Sequence, residues 1–234
     1  MKSPDSGQGF FLCADPWRQQ GYQTAHATRR DRLLTSPHSS SAVVTAVRNL
    51  AIQQAVYVPL GAMLALMAFA FTVPGYHPLS QHLSELGLMP GLPAKAVQVG
   101  AVVSGSAIIV FSLALLAQSR RFALTVLTST LFGVSMVSNG VFTTGSPLHG
   151  LYGIGIFSIL TPLLFLAELG PAASTRMAWI ARAISLLGMA YLWLMLSGFD
   201  PEPYRGLTQR IALLPAFGWY TFAALELRKR PAGA

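Results

Sequence analysis

Six apolar blocks, each close to the length of a membrane-spanning helix, restrict this chain more than any motif in it. They cover residues 52–73, 96–118, 122–142, 149–169, 177–199 and 207–227. A helix rises 1.5 Å per residue, so about 20 apolar residues cross the roughly 30 Å hydrocarbon core of a bilayer. Only 10% of the residues are charged and 53% are hydrophobic, whereas a soluble domain carries about 25% charged residues to build its surface. The expected fold is all-α: a polytopic integral membrane protein, a bundle of six transmembrane helices. Pro59, Pro162 and Pro215 fall inside the blocks, a cost in water that neighbouring helices absorb in a membrane. Small residues such as Gly100 with Ser104, and the group Gly150, Gly153 and Gly155, offer places of close helix approach.

The blocks divide the chain into a disordered basic cytoplasmic extension (residues 1–49), a six-helix transmembrane domain (50–228) and a basic cytoplasmic tail (229–234). The extension mixes Ser, Gln, Thr, His and charges without sustained periodicity. No apolar core follows Lys2, so it does not read as a secretory signal peptide. His26 and His38 read as solvated. Cys13 is the single cysteine, which excludes an internal disulfide framework and a thiolate metal cluster.

The net charge is +8. Its positive residues sit in short clusters between apolar blocks, the pattern of cytoplasmic loops and not of a nucleic-acid-binding face. Counted from Arg29 onward, one side holds eleven Lys and Arg: Arg29, Arg30, Arg32 and Arg48 before the first block, Arg120 and Arg121, Arg176 and Arg182, then Arg228, Lys229 and Arg230. The other side holds three, Lys95, Arg205 and Arg210. With an even number of crossings, that bias puts both termini in the cytoplasm of a cell-membrane protein.

Polar residues outside the basic clusters gather in the three outer connections. Residues Leu79 to Leu86 have helical spacing, with Leu79, Leu83 and Leu86 on one stripe and His82, Ser84 and Glu85 beside it; Gly87 and Pro90 stop the helix. Such a segment lies in the interface or turns its polar side into a pocket between helices. Arg210 is the expected partner of Glu85, unless it snorkels to the interface. His149 opens the fourth block, and Asp200 and Gln209 belong to the fifth connection. The candidate ligand pocket is therefore His82, Ser84, Glu85, His149, Asp200, Gln209 and Arg210. At the opposite end, Glu168 beside Arg176 and Glu226 beside Arg228 read as solvated pairs of little energetic weight.

Three stretches carry a family likeness: Ser84-Glu85-Leu86-Gly87 after the first block, His149-Gly150 at the start of the fourth, and Arg205-Gly206-Leu207-Thr208-Gln209-Arg210-Ile211 at the start of the sixth. Taken in order, they make residues 51–227 resemble the bacterial six-helix membrane family called domain of unknown function nine-nine-eight. Members of that family often place an acidic residue in a turn before the histidine, where this chain has Phe142-Thr143-Thr144-Gly145-Ser146-Pro147. The resemblance implies an architecture and recurring positions, with no established activity or cofactor.

Three classes of function follow. The first is a non-enzymatic membrane protein that binds or senses a small or lipidic ligand in an outward-facing polar pocket. The second is a metal-dependent intramembrane lipid hydrolase, with zinc held by His77, His82 and His149 and with Glu85 or Asp200 as base. No HExxH spacing supports it, and no cofactor is expected under the first class. The third is a structural or accessory subunit, packed against a membrane protein partner or a second copy of itself. Serine nucleophile chemistry finds no G-x-S-x-G.

Overall fold

The computed structural model of the chain describes residues 37–229, with side chains from residue 42 onward, and no strand occurs among them. Seven α-helices are described: α1 (Pro37–Gln54), α2 (Val58–Ala70), α3 (Leu92–Gln118), α4 (Ala123–Val141), α5 (Thr161–Leu169), α6 (Thr175–Ser197) and α7 (Arg205–Arg228). Two compact units divide the chain, residues 1–45 and 46–234; the packing below belongs to the second. Most of the extension read as disordered, with Cys13 and His26, lies outside the described residues, but from Pro37 the chain is helical.

Four helical stretches are long and apolar enough to cross a membrane: Ala42–Ala70, Leu92–Gln118, Arg120–Val141 and Thr175–Ser197. The fourth block departs from the straight helix expected over residues 149–169. Gly150, Leu151, Tyr152 and Gly153 all take positive φ, from 46° to 80°, which turns the backbone left-handed. A 3₁₀ stretch follows to Ile159, and Pro162 opens α5. Leu151–Ile159 and Thr161–Ala172 meet at 47°, and together they make a fifth crossing if they form one span. The sixth block becomes the 24-residue α7, which carries polar and charged residues at both ends and is not among the four.

Pro59 cannot donate a backbone hydrogen bond, and the first block breaks there between α1 and α2. Side chains from other helices serve two carbonyls at the break, with Thr221 Oγ1 donating to Val56 O at 2.9 Å and Ser104 Oγ to Pro59 O at 3.3 Å, while Gln54 at the end of α1 donates from Nε2 to Ala107 O of α3 at 2.8 Å. Hydroxyls and amides that re-satisfy freed backbone groups are how a broken apolar helix is tolerated.

The closest helix pair is α3 with α4. A Cβ on Gly105 would lie 2.5 Å from Gly133 O, and one on Gly133 would lie 2.8 Å from Gly105 O. Gly140, two turns on from Gly133, meets Gln98 O in the same way at 2.7 Å. Gly100 and Ser104 do mark a close approach, but toward α2: Gly100 faces Leu66. Between α3, α4, α5 and α7 lies an aromatic core in which Phe132 stacks on Tyr220, Phe122 on Phe165, and Phe165 meets Trp219 edge-on. By contrast α6 buries only Met177, Ala181 and Ser185, all in its first half; Trp193 and Leu196 further along are exposed.

Candidate functional site

The connection after α2 has few backbone partners of its own, so its carbonyls must find donors elsewhere. They find them on the first turns of α7. Arg210 is only 5% exposed, and its guanidinium donates to Pro78 O, to Gln81 O at 3.2 Å, to Gly206 O at 2.7 Å and to the Tyr76 hydroxyl at 2.9 Å. Tyr76 in turn donates to Gln81 O and His82 O. Gln209 Oε1 accepts from Leu83 N at 2.7 Å, and Leu207 N donates to Leu79 O. Gly206 lets the two backbones touch: a Cβ there would sit 2.3 Å from Gln81 O and 2.4 Å from Pro78 O. The stretch Arg205–Arg210 is thus a latch on residues 76–83, and a guanidinium suits it because it is all donor.

The pairing expected between Glu85 and Arg210 does not form. Glu85 pairs with Arg205 at 3.4 Å, and its Oε1 also accepts from His82 N at 3.0 Å, capping the 3₁₀ helix Leu83–Leu88. Arg210 neither reaches a carboxylate nor snorkels. Leu83 and Leu86 are buried as the stripe requires, while Leu79 is 48% exposed because the helix begins only at Leu83. Burial raises the Tyr76 pKa above its ordinary value, and the hydrogen bond from Arg210 works against that shift.

The other five candidate residues separate into two groups. His82 Nε2 lies 3.8 Å from Asp200 Oδ2, and Asp200 Oδ1 accepts from Thr208 Oγ1 at 2.7 Å. Ser84, His149 and Gln209 come together around a cavity of about 90 Å³ that Asn139 and Leu213 also line. His149 Nδ1 is 2.8 Å from Phe142 O; a carbonyl only accepts, so Nδ1 carries the proton and Nε2 of the neutral ring is an acceptor. Asn139 Oδ1 is buried without a partner. The three histidines do not assemble, and no group of three His, Cys, Asp or Glu among the described residues is arranged to hold a metal ion. At the opposite end, Glu168 is not paired with Arg176 but accepts from Leu124 N, Thr125 N and Thr125 Oγ1, capping the start of α4. Glu226 pairs with Lys229 at 3.3 Å.

A second cavity, of about 420 Å³, was not foreseen. It opens between the left-handed turn at Gly150–Gly153, α6 and α7, with walls that include Ile159, Gly188, Leu192, Ala216, Trp219 and Tyr220. Leu213 lines both cavities. No Asp, Glu, His, Lys or Arg lines the larger one. The turn itself is held by Ser135 Oγ, which donates to Gly150 O at 3.0 Å, and Gly155 sits so near that a Cβ would meet Ser135 Oγ at 2.7 Å. The glycines at 150, 153 and 155 were its only trace in the sequence. They suggest helix packing as readily as a turn, and Leu151 and Tyr152 gave no sign of left-handed backbone.

A family model described as protein of unknown function (DUF998) matches residues 56–226 of the chain. No curated protein and no solved structure matches it.

Proposed function

The chain belongs to the DUF998 family of proteins of unknown function, and we propose that it is a six-span membrane protein that binds an amphipathic, lipidic ligand. One observation carries the reading: the 420 Å³ cavity is walled mostly by apolar side chains and carries no carboxylate, imidazole, ammonium or guanidinium group. Ligand pockets of about 300–1,000 Å³ with apolar walls and a few polar groups are the usual form of small-molecule sites. The apolar part of the ligand occupies that cavity, and its polar group meets Ser84, Asn139 and His149 across Leu213. Binding or sensing fits such walls better than catalysis.

Six crossings follow when the bent pair Leu151–Ile159 with Thr161–Ala172 is counted as one span and α7 is added to it and the other four. The 24 residues of α7 span about 36 Å, and Arg205 and Arg210 are engaged with the outer loop and not with lipid. Both termini then lie in the cytoplasm, and the exposed apolar half of α6 faces lipid, a partner helix or a second copy. A zinc hydrolase would need a third ligand beside His82 and Asp200, and no described side chain supplies one.

The test is native mass spectrometry of the purified full chain, followed by the same measurement on Ala216→Phe, which places a ring in the cavity. Leu225→Phe, on an exposed position of the same helix, is the control. Loss of a co-purifying amphiphile in Ala216→Phe alone is expected. A parent protein that retains no such molecule, or an Ala216→Phe variant that keeps it, overturns the reading.

A further inference from the structure

At the end of the bundle opposite the latch, α1, the C-terminus of α3 and the C-terminus of α7 enclose a second kind of hollow. Its volume is about 290 Å³, and Arg48, Asn49, Gln53, Gln118 and Arg228 line it with Ile52 and Leu227 at its base. Two guanidiniums therefore share one pocket, and neither has a carboxylate or a hydrogen-bond acceptor among the described residues. Arg48 Nε is buried without a partner, as is Gln118 Oε1. The nearest acid in sequence, Glu226, is held by Lys229.

Arg228 is exposed and Arg48 half-buried, so the cost of an empty hollow falls mainly on Arg48 Nε. Two like charges repel more strongly where the surroundings are partly apolar, and a buried donor without an acceptor forfeits the hydrogen bond it had in water. An anion with several acceptor oxygens removes both costs at once. Guanidiniums match phosphate oxygens in forked pairs, and the three amides beside them can complete a tetrahedral set. The hollow is near the small end of ligand-pocket volumes, about 300 Å³, the size for a headgroup and not for a whole amphiphile.

We propose that Arg48 and Arg228 form a binding site for a phosphate group. Two sources offer that chemistry, an anionic phospholipid headgroup at the cytoplasmic leaflet and a free phosphate. Basic pockets between helices on the cytoplasmic side are where such headgroups bind, and the lipid source depends on the proposed orientation; free phosphate does not. The site is separate from the apolar cavity, so either can fail without the other.

The experiment uses the purified full chain in two arms. In the first, native mass spectrometry counts lipids retained from nanodiscs of equal parts phosphatidylglycerol and phosphatidylcholine. In the second, thermal unfolding in detergent is followed against inorganic phosphate, with chloride at matched ionic strength. Arg48→Gln and Arg228→Gln are compared with Arg176→Gln, an exposed arginine outside the pocket. Preferential retention of phosphatidylglycerol, weakened about ten- to a hundred-fold in both pocket variants and unchanged in Arg176→Gln, supports the lipid source. Stabilisation by phosphate over chloride, lost in the same two variants, supports free phosphate. Arg48→Lys, which keeps the charge but not the fork, should restore part of the binding and shows that the Gln variant has not merely unfolded. No preference in either arm, or equal behaviour of all three Gln variants, overturns the proposal.

Discussion

Replacing Arg210 with Met tests the latch directly, because the two shapes are similar and only the donors are lost. The guanidinium makes four hydrogen bonds, to three carbonyls and the Tyr76 hydroxyl. Bonds from charged donors contribute about 1.5–3 kcal/mol each, but they share one group and do not add. The buried guanidinium also gives back its desolvation cost when removed. A net loss of about 3 kcal/mol is reasonable on those terms, equivalent to a melting point lower by about 6–12 °C in a chain of this length. Glu85→Gln should cost about 1 kcal/mol or less, since Arg205 and Glu85 are partly exposed, at 43% and 25% of their side chains. Thermal unfolding of the detergent-purified single and double variants, read by tryptophan fluorescence, closes the cycle. Glu85 is expected to couple to Arg205 and not to Arg210. A Glu85→Gln loss as large as that of Arg210→Met, with strong coupling between the two, would refute the carbonyl latch and restore an ion pair.

Other consequences can be checked in the same assay. Gly105→Ala drives a Cβ against the backbone of α4 and should destabilise by about 2 kcal/mol or more, whereas Gly61→Ala, with no atom within 4 Å of its Cβ, should be neutral or stabilising by about 0.5–1 kcal/mol. Glu168→Ala removes the cap of α4 and should cost about 1–2 kcal/mol; a change as small as that of Glu226→Ala would deny it the role. The folded-state pKa of Tyr76 is raised, so its contribution is complete below the ordinary tyrosine value and is lost as pH climbs through the raised one. The alkaline fall in melting point should therefore be shallower in Tyr76→Phe than in the parent, and identical alkaline limbs would argue against it.

Most of the helices were legible because a long apolar run of this length has few other solutions. The breaks were less so. Pro59 was read as tolerated inside one span, although its missing N–H is a local fact that marks the break; the turn at Leu151 and Tyr152 depends on tertiary support from Ser135, which no window of sequence contains. The site divided along the same line. That Ser84, His149 and Gln209 belong together was readable from the side of the bundle they share. Which arginine meets Glu85 was not, because Arg205 and Arg210 differ only in how many free carbonyls each can reach. Gly133 and Gly140 stand seven apart on one face of α4 and were a readable signal for the α3 contact, passed over for the more familiar spacing of Gly100 and Ser104. The apolar cavity had no composition of its own, since it is made of ordinary helix faces held apart by the turn.

The latch also changes the weight of the charge argument for orientation. Arg205 and Arg210 are two of the three basic residues on the side proposed to be outermost, and on a simple count they weaken the asymmetry. Both are engaged with the loop between α2 and α3: Arg205 Nε donates to Ser80 O at 2.8 Å while its other nitrogens face Glu85, and Arg210 is buried among carbonyls. Arg210 is thus removed from the surface, and Arg205, though 43% exposed, is engaged with Glu85 and the loop, so neither is a free charge of the kind that an anionic leaflet attracts. Only Lys95 remains outside as such a charge. At the other end, Arg48 and Arg228 lack a protein counter-ion among the described residues. Lys229, at that same end, is paired with Glu226, so partnered and unpartnered basic residues occur at both ends and it is the arginines that differ. On the proposed orientation, the arginines left to meet an anionic leaflet are Arg48 and Arg228 and not the two that hold the loop.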